Sequence, residues 1–173
     1  MKQKLVACAV FFIISATVSC NRKYIKDTEI PDTPENRKVL QVFMSYVQAV
    51  KKNDVDSILN LASRNYHDNY GTTTAEDDVD YDALERFLKS DSYRKIMEVR
   101  PIIKIKDFEV YPEKGLAEVY YFYEIRAKKK MAIPREKESI LQKEDETWVK
   151  TSDDMLLVLK KEDDGVWRIV SGM

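Results

Sequence analysis

The sequence predicts an α+β domain in which three N-terminal helices are wrapped by an antiparallel sheet of about four strands. Apolar residues recur at helical spacing in the first part of this domain, between residues 34 and 100. From residue 102 onward, apolar residues alternate with polar ones, which is the period of a half-buried strand. A run of helices followed by a run of strands is typical of the α+β class.

The helix boundaries follow from local capping signals. The first helix is expected to begin at residues 33–35 (Thr-Pro-Glu), which supply an N-cap hydroxyl, a proline at the first helical position and an acid near the positive end of the dipole. Asn53 or Asp54 caps a second helix, and the very short connection predicts a helical hairpin. A third helix is expected from Asp80 to Pro101, with residues 96–97 facing inward.

Turn signals divide the second half of the chain into strands. Strands are predicted over residues 102–111, 116–126, 147–160 and 166–171. The alternation of the first strand slips near residues 106–107, which predicts a β-bulge. A charged loop is expected over residues 127–146.

The N-terminus has the features of an export signal. Two lysines within residues 1–4 precede an almost unbroken apolar stretch of 14 residues, 5–18, the length of a signal-peptide core and too short to span a bilayer comfortably. Residues 17–20 (Thr-Val-Ser-Cys) resemble a bacterial lipobox, with Thr17 where most lipoboxes have leucine. Removal of residues 1–19 would leave Cys20 as the lipid-bearing first residue. An ordinary secretory signal cleaved near Ser19 and an uncleaved anchor are the alternatives.

This signal predicts where the chain is located and how it is attached to a membrane. The chain is expected in the bacterial cell envelope, and by resemblance to enterobacterial sorting the Asn21 after the cysteine, in place of aspartate, favours the outer membrane facing the periplasm. Residues 20–33 are expected to form a polar tether behind the lipid, and residues 34–173 the domain. Cys8 would leave with the signal, so Cys20 would be the one remaining thiol and no intrachain disulfide is expected.

The charge balance limits the partners. The formal net charge is −1, with 29 basic and 30 acidic residues, and a nucleic-acid-binding protein needs a basic excess on one face. We therefore expect no nucleic-acid partner.

Two segments resemble a known superfamily. Residues 47–58 (VQAVKKNDVDSI), together with 157–160 (LVLK) and 164–170 (DGVWRIV), resemble the opening and the end of nuclear transport factor 2-like domains. The resemblance covers roughly residues 34–173. It implies a cone, in which a strongly curved antiparallel sheet surrounds a long helix and leaves a pocket at the open end.

Ketosteroid isomerase, an enzyme of that superfamily, offers a comparison by residue. Tyr46 occupies the place of its helical tyrosine, and Asp68, just before Gly71, matches its catalytic base within one gap. The enzyme also carries a protonated aspartate on a middle strand, whereas residues 116–126 contain no aspartate. The resemblance thus implies one candidate pair, Tyr46 and Asp68, for a small-molecule isomerase or dehydratase.

Other polar residues are weaker candidates for a functional site. His67 is the one histidine and is expected on the surface, so neither a zinc site nor a histidine nucleophile is predicted. The acidic run 76–82 lacks the spacing of a calcium loop and suits a helix start. The lysines at 128–130 form a weak patch for anionic headgroups. No metal or cofactor is predicted.

Aromatic residues crowd the strand at 116–126. Tyr120 and Phe122 lie on the face opposite the one expected to pack on the helices, which predicts a partner or homodimer surface unless the loop 127–146 covers them. The main functional hypothesis is a non-enzymatic envelope lipoprotein whose domain binds a small apolar ligand or a protein. The alternatives are the isomerase or dehydratase and a structural homodimer module.

Overall fold

A computed structural model describes residues 23–73, 75–132 and 144–173. The helices are α1 (Pro34–Lys52), α2 (Val55–Leu61), α3 (Tyr81–Leu88) and α4 (Asp91–Arg94). The strands are β1 (His67–Asp68), β2 (Val79–Asp80), β3 (Ile96–Tyr111), β4 (Leu116–Ala132), β5 (Glu144–Lys161) and β6 (Trp167–Ser171). Strands β3 to β6 form one antiparallel sheet in the order β3-β4-β5-β6, and β1 pairs with β2. The predicted α+β class and curved antiparallel sheet are confirmed.

Local capping produces the helical hairpin of α1 and α2. The hydroxyl of Thr33 accepts a hydrogen bond from the backbone N–H of Asn36 at 3.1 Å, as expected for an N-cap. Asn53 ends α1 in the left-handed conformation with φ 54°, and Asp54 caps α2 by accepting from the Ser57 N–H at 3.1 Å. Both capping residues are therefore used, one for each helix.

The third predicted helix is wrong beyond Leu88. A separate short helix, α4, follows Ser90, which caps it by accepting a hydrogen bond from the Tyr93 N–H at 3.2 Å. The chain then becomes extended at Ile96. Residues 96–101 belong to β3, including Pro101. Proline is tolerated there because β3 is an edge strand, so the missing N–H need not cost a ladder hydrogen bond.

The charged loop predicted for residues 127–146 is wrong at both ends, where residues 127–132 belong to β4 and residues 144–146 to β5. Strands β4 and β5 pair continuously as far as Ala132 opposite Glu144. In this register Lys130 lies opposite Glu146. The part of the predicted loop at residues 133–143 lies outside the described residues. The predicted bulge is confirmed as a register shift between Ile105 and Asp107.

The core lies between α1 and the inner face of the sheet. Phe43 on α1 is fully buried and meets the Tyr121 ring edge-on at 5.1 Å between centroids. The other large, fully buried apolar side chains among the described residues come from α1 and the three strands β4, β5 and β6: Val39, Val119, Leu157, Leu159 and Ile169. Helix α1 is thus held by apolar contacts along its inward side.

The segment that precedes α1 is folded onto the domain from residue 23. Tyr24 bridges to Pro31, the Asp32 N–H donates to the Lys23 carbonyl at 3.1 Å, and Ile30 is buried. Among the described residues, no helix is long and apolar enough to cross a membrane.

Glu35 links the start of α1 to the sheet. Its carboxylate accepts from the Trp167 indole Nε1 at 2.8 Å and from Lys38 Nζ at 2.9 Å, and Lys161 Nζ lies 3.4 Å away. The hydrogen bond from Lys38, followed by that from Trp167, lowers the pKa of Glu35 to about 2. The charged form of Glu35 is therefore stabilised in the folded state.

This lowered pKa makes stability depend on pH. Because the folded value lies below the ordinary 4.5, the contribution is complete above about pH 4.5 and is lost as the pH falls toward about 2. We expect Glu35→Gln to show a smaller loss of unfolding free energy than the wild type between about pH 5 and about pH 3. Urea unfolding at several pH values measures this, with Glu113→Gln on an exposed turn as the control. An unchanged pH dependence in Glu35→Gln would contradict the assignment.

Candidate functional site

A cavity of about 320 Å³ lies where the helices meet the end of the chain. Its volume falls within the range of small-molecule sites. Its walls are mostly aliphatic and aromatic, and come from α1, α2, α3, α4, β2 and the segment after β1: Tyr46, Val50, Ile58, Tyr70, Val79, Ala83, Leu84, Phe87, Leu88, Tyr93 and Met173. The cavity can therefore exclude water from an apolar ligand and offer it phenol hydroxyls.

Tyr46 projects from α1 into this cavity wall. Burial is the main cause that raises the pKa of its phenol well above the ordinary value, and Tyr121, Tyr66 and Tyr93 add to the rise. The phenol therefore stays neutral at physiological pH and donates its hydrogen bond to Tyr121.

Asp68 is buried and its carboxylate is engaged in the fold. One oxygen, Oδ1, accepts from the Tyr70 N–H at 2.9 Å. The other, Oδ2, accepts from the Gly172 N–H at 2.8 Å and from the Tyr66 hydroxyl at 3.2 Å. Asp68 is not among the residues that line the cavity with Tyr46, so the structure does not bring the predicted pair to one surface.

Tyr66 contacts Asp68 and lies near Tyr46, and the sequence alone did not predict a role for it. Its hydroxyl donates to Asp68, accepts from the Met173 N–H at 3.1 Å, and lies close enough to raise the pKa of Tyr46. Burial raises the pKa of Tyr66 itself. Its place two residues before Asp68, on one side of an extended segment, was the available signal.

Gly172 explains why the chain end can reach Asp68. It has φ 89°, and a Cβ placed on it would lie 2.0 Å from the carbonyl oxygen of Leu156. Only glycine allows the backbone to approach this closely while its N–H donates to Asp68.

Adding a methyl group at Gly172 tests the close contact between the Gly172 backbone and Leu156. We expect Gly172→Ala to lower the free energy of unfolding by about 1–3 kcal/mol more than Gly165→Ala, because crowding is added to the conformational cost. Gly165 is the matched control, since it has φ 76° and nothing within 4 Å of its Cβ position. Thermal or urea unfolding measures the difference, and equal losses would show that the close approach to Leu156 is absent in solution.

The remaining candidates lie at the surface. His67 is exposed, as predicted, and its Nε2 lies 3.3 Å from Asp78 Oδ2. In the acidic run, Asp80 caps α3 by accepting from the Ala83 N–H at 2.7 Å, the role expected for acids at a helix start. Within the described ranges, no group of three or more potential metal ligands is found.

Tyr120 and Phe122 lie on the outer face of β4. Tyr120 is 39% exposed, and Lys106 Nζ lies 5.5 Å from its ring centroid and 5.9 Å from that of Phe122. Exposed Leu156 is directly opposite Tyr120 in the register. The partner surface stays a prediction.

Comparison with known proteins identifies the fold through structure alone. No family model and no curated protein matches the chain. A ketosteroid isomerase-like protein from Erwinia carotovora atroseptica is similar in structure, with a TM-score of 0.57 at 15% identity over 82% of this chain and 95% of that one. A nuclear transport factor 2-like superfamily protein from Salmonella enterica has a TM-score of 0.53 at 12% identity over 79% and 87%.

The chain has the nuclear transport factor 2-like fold. A candidate scytalone dehydratase from Novosphingobium aromaticivorans shares it, with a TM-score of 0.59 at 12% identity over 80% of each chain. The cavity lined by Tyr46 lies among the helices of this fold, next to Met173 at the chain end. At these identities the likeness concerns the fold, and activities have to be argued from the site.

Proposed function

We propose that the domain binds a small apolar ligand in the cavity lined by Tyr46. The observation that carries this is the wall itself, in which aliphatic and aromatic side chains surround about 320 Å³ and the neutral phenols of Tyr46, Tyr70 and Tyr93 supply polar groups. A ligand with a flat apolar body and one hydrogen-bond acceptor suits this combination. Burial of the apolar body supplies affinity and the phenols supply orientation.

The same geometry favours binding over catalysis by Tyr46 and Asp68. A general base must be within hydrogen-bonding reach of the proton that it removes. Asp68 already accepts from three donors and would have to leave them to enter the cavity. The isomerase or dehydratase hypothesis draws its support from the fold that the chain shares with proteins bearing such names.

Filling the cavity tests the binding proposal. Ala83 lies in the wall, whereas Ala75 is exposed on a short 3₁₀ turn, so Ala83→Phe and Ala75→Phe add the same ring inside and outside the cavity. With 1-naphthol as the probe, calorimetric titration should show about tenfold weaker binding to Ala83→Phe, which corresponds to about 1.4 kcal/mol. Ala75→Phe should bind as the wild type does. Equal affinity in both folded variants would refute the cavity as the site.

We also propose that the domain is mounted on a bacterial envelope membrane through Cys20, with residues 1–19 as a lipoprotein signal and 34–173 as the domain. The lipobox-like sequence before Cys20 supports this. The folding of residues 23–33 onto the domain shortens the predicted tether, because residues 20–23 span only about 10 Å when extended. The outer membrane facing the periplasm remains the proposed location.

Mass spectrometry of the mature N-terminus tests the proposed lipid attachment at Cys20. We expect the wild-type chain to begin at Cys20 and to carry acyl groups. In Cys20→Ala, the acyl mass and the N-terminus at residue 20 should both be absent. An unmodified chain that begins elsewhere would refute the proposal.

A homodimer through the outer sheet face is the second candidate, favoured by the exposed pair Tyr120 and Leu156. Sedimentation at micromolar concentration should then show a dimer that Tyr120→Lys converts to a monomer. A monomeric wild type would refute it.

A further inference from the structure

Three cations form one row across the outer face of the sheet. The register places Arg100 on β3 opposite Arg126 on β4, and Arg126 opposite Lys150 on β5. All three residues are exposed. Like charges directly opposite one another destabilise a sheet, so packing alone does not account for this row.

Two carboxylates compensate the three cations only in part. Glu98 lies 2.7 Å from Arg100 Nε, and Glu124 lies 3.0 Å from Arg126 Nη2 and 2.9 Å from Lys150 Nζ. These contacts hold the cations in place and leave the row with an excess of positive charge. Guanidinium groups that are anchored on one edge keep donors on the other edge for phosphate oxygens.

An exposed tryptophan completes the surface. Trp148 is 44% exposed, and the Arg100 guanidinium lies over its ring at 4.6 Å from the centroid. Together with Arg126 and Lys150 they line a shallow depression of about 300 Å³. Tryptophan beside arginine and lysine is the composition found at the headgroup level of membranes.

We propose that this basic–tryptophan patch, formed by Arg100, Arg126, Trp148 and Lys150, docks the domain on the anionic headgroups of a membrane surface. Cations near such a surface are attracted to it, and the indole ring can enter the interface. The patch replaces the lysines at 128–130 as the candidate contact, because it joins cations of three strands and an exposed tryptophan in one depression.

The position of the patch suits this role. Lys104 on β3 and the turn at 27–31 line the same groove. Arg100 is four residues from Lys104 along the strand and on the same face, or about 13 Å away. The patch and the N-terminal attachment can therefore reach one membrane together, which would fix the orientation of the cone. This proposal is independent of ligand binding in the cavity.

Vesicle binding of the full chain tests the proposal. Co-sedimentation is compared between vesicles of phosphatidylcholine alone and vesicles of phosphatidylcholine with phosphatidylglycerol. The N-terminal segment contributes to both, so the difference between them isolates the charge-dependent contact. We expect about fivefold to tenfold tighter binding to the anionic vesicles at low salt, and little preference at high salt.

Two variants separate the patch from net charge. Arg100→Gln/Arg126→Gln/Lys150→Gln should abolish the preference for anionic vesicles. Lys51→Gln/Lys52→Gln/Arg86→Gln removes three exposed cations elsewhere and should retain it. Circular dichroism confirms that both variants are folded. Trp148→Ala should weaken binding to the anionic vesicles by a few-fold.

Two results would overturn the proposal. Equal loss of preference in both triple variants would show that only overall charge matters. Inorganic phosphate that shifts the arginine side-chain NMR signals, without any vesicle preference in the wild type, would show a small-anion site in place of a membrane contact.

Discussion

Replacing Asp68 with alanine is expected to lower the free energy of unfolding by about 3 kcal/mol or more, since each buried donor left without an acceptor costs about 1–3 kcal/mol. The carboxylate accepts from the N–H groups of Tyr70 and Gly172 and from the Tyr66 hydroxyl. Gly172 is 104 residues away along the chain, so the loss would detach the chain end from the segment after α2. Urea unfolding followed by tryptophan fluorescence measures the change.

Two further variants sharpen the Asp68 prediction. Asp163→Ala, at an exposed position in the turn before β6, should change the stability by less than about 0.5 kcal/mol. Asp68→Asn keeps the shape and one acceptor oxygen, so its loss should lie between those of the wild type and the alanine variant. If the alanine variant were instead as stable as the wild type, the fold would not need the Asp68 carboxylate. That result would be expected of a residue with a catalytic role.

Phe43→Ala is expected to cost about 3–5 kcal/mol, the range for removing a buried aromatic ring. Phe43 is 0% exposed and packs edge-on against Tyr121, so the cavity left behind would lie between α1 and β4. Because α1 also carries Tyr46, loosened packing should weaken binding of 1-naphthol as well. Thermal and urea unfolding measure the stability.

Phe87→Ala is the matched control for the loss of stability, but not for 1-naphthol binding, because Phe87 lines the cavity. Phe87 is 59% exposed and contacts Tyr93 at 5.7 Å between ring centroids, so its removal should cost less than about 1 kcal/mol. Equal losses for Phe43 and Phe87 would mean that α1 is not packed against the sheet as described.

Local signals in the sequence were enough for the parts of the fold that depend on neighbours along the chain. The caps at Thr33 and Asp54 were predictable because a capping side chain bonds to a backbone N–H only three residues away. The end of α3 and the length of the β4–β5 hairpin were not predictable. Ile96 is extended because it pairs with Lys129 on β4, and this partner is remote in sequence.

The candidate site shows the same division. The resemblance pointed to Tyr46, and the structure places Tyr46 in a cavity wall. It also pointed to Asp68, but what that carboxylate does depends on Gly172, Tyr66 and Tyr70. The basic–tryptophan patch is invisible in the sequence, because its cations are 24 or more residues apart and only the strand register brings them into one row.

The sequence by itself therefore determined the class of the fold, the helix starts and a predicted signal ending at Cys20, since periodicity, caps and the lipobox-like run are local patterns. Tertiary structure decided which residues share a surface. Pairing and packing join segments that are far apart along the chain, and their geometry places Tyr46 in a cavity, withdraws Asp68 into the fold, and aligns Arg100 with Arg126 and Lys150.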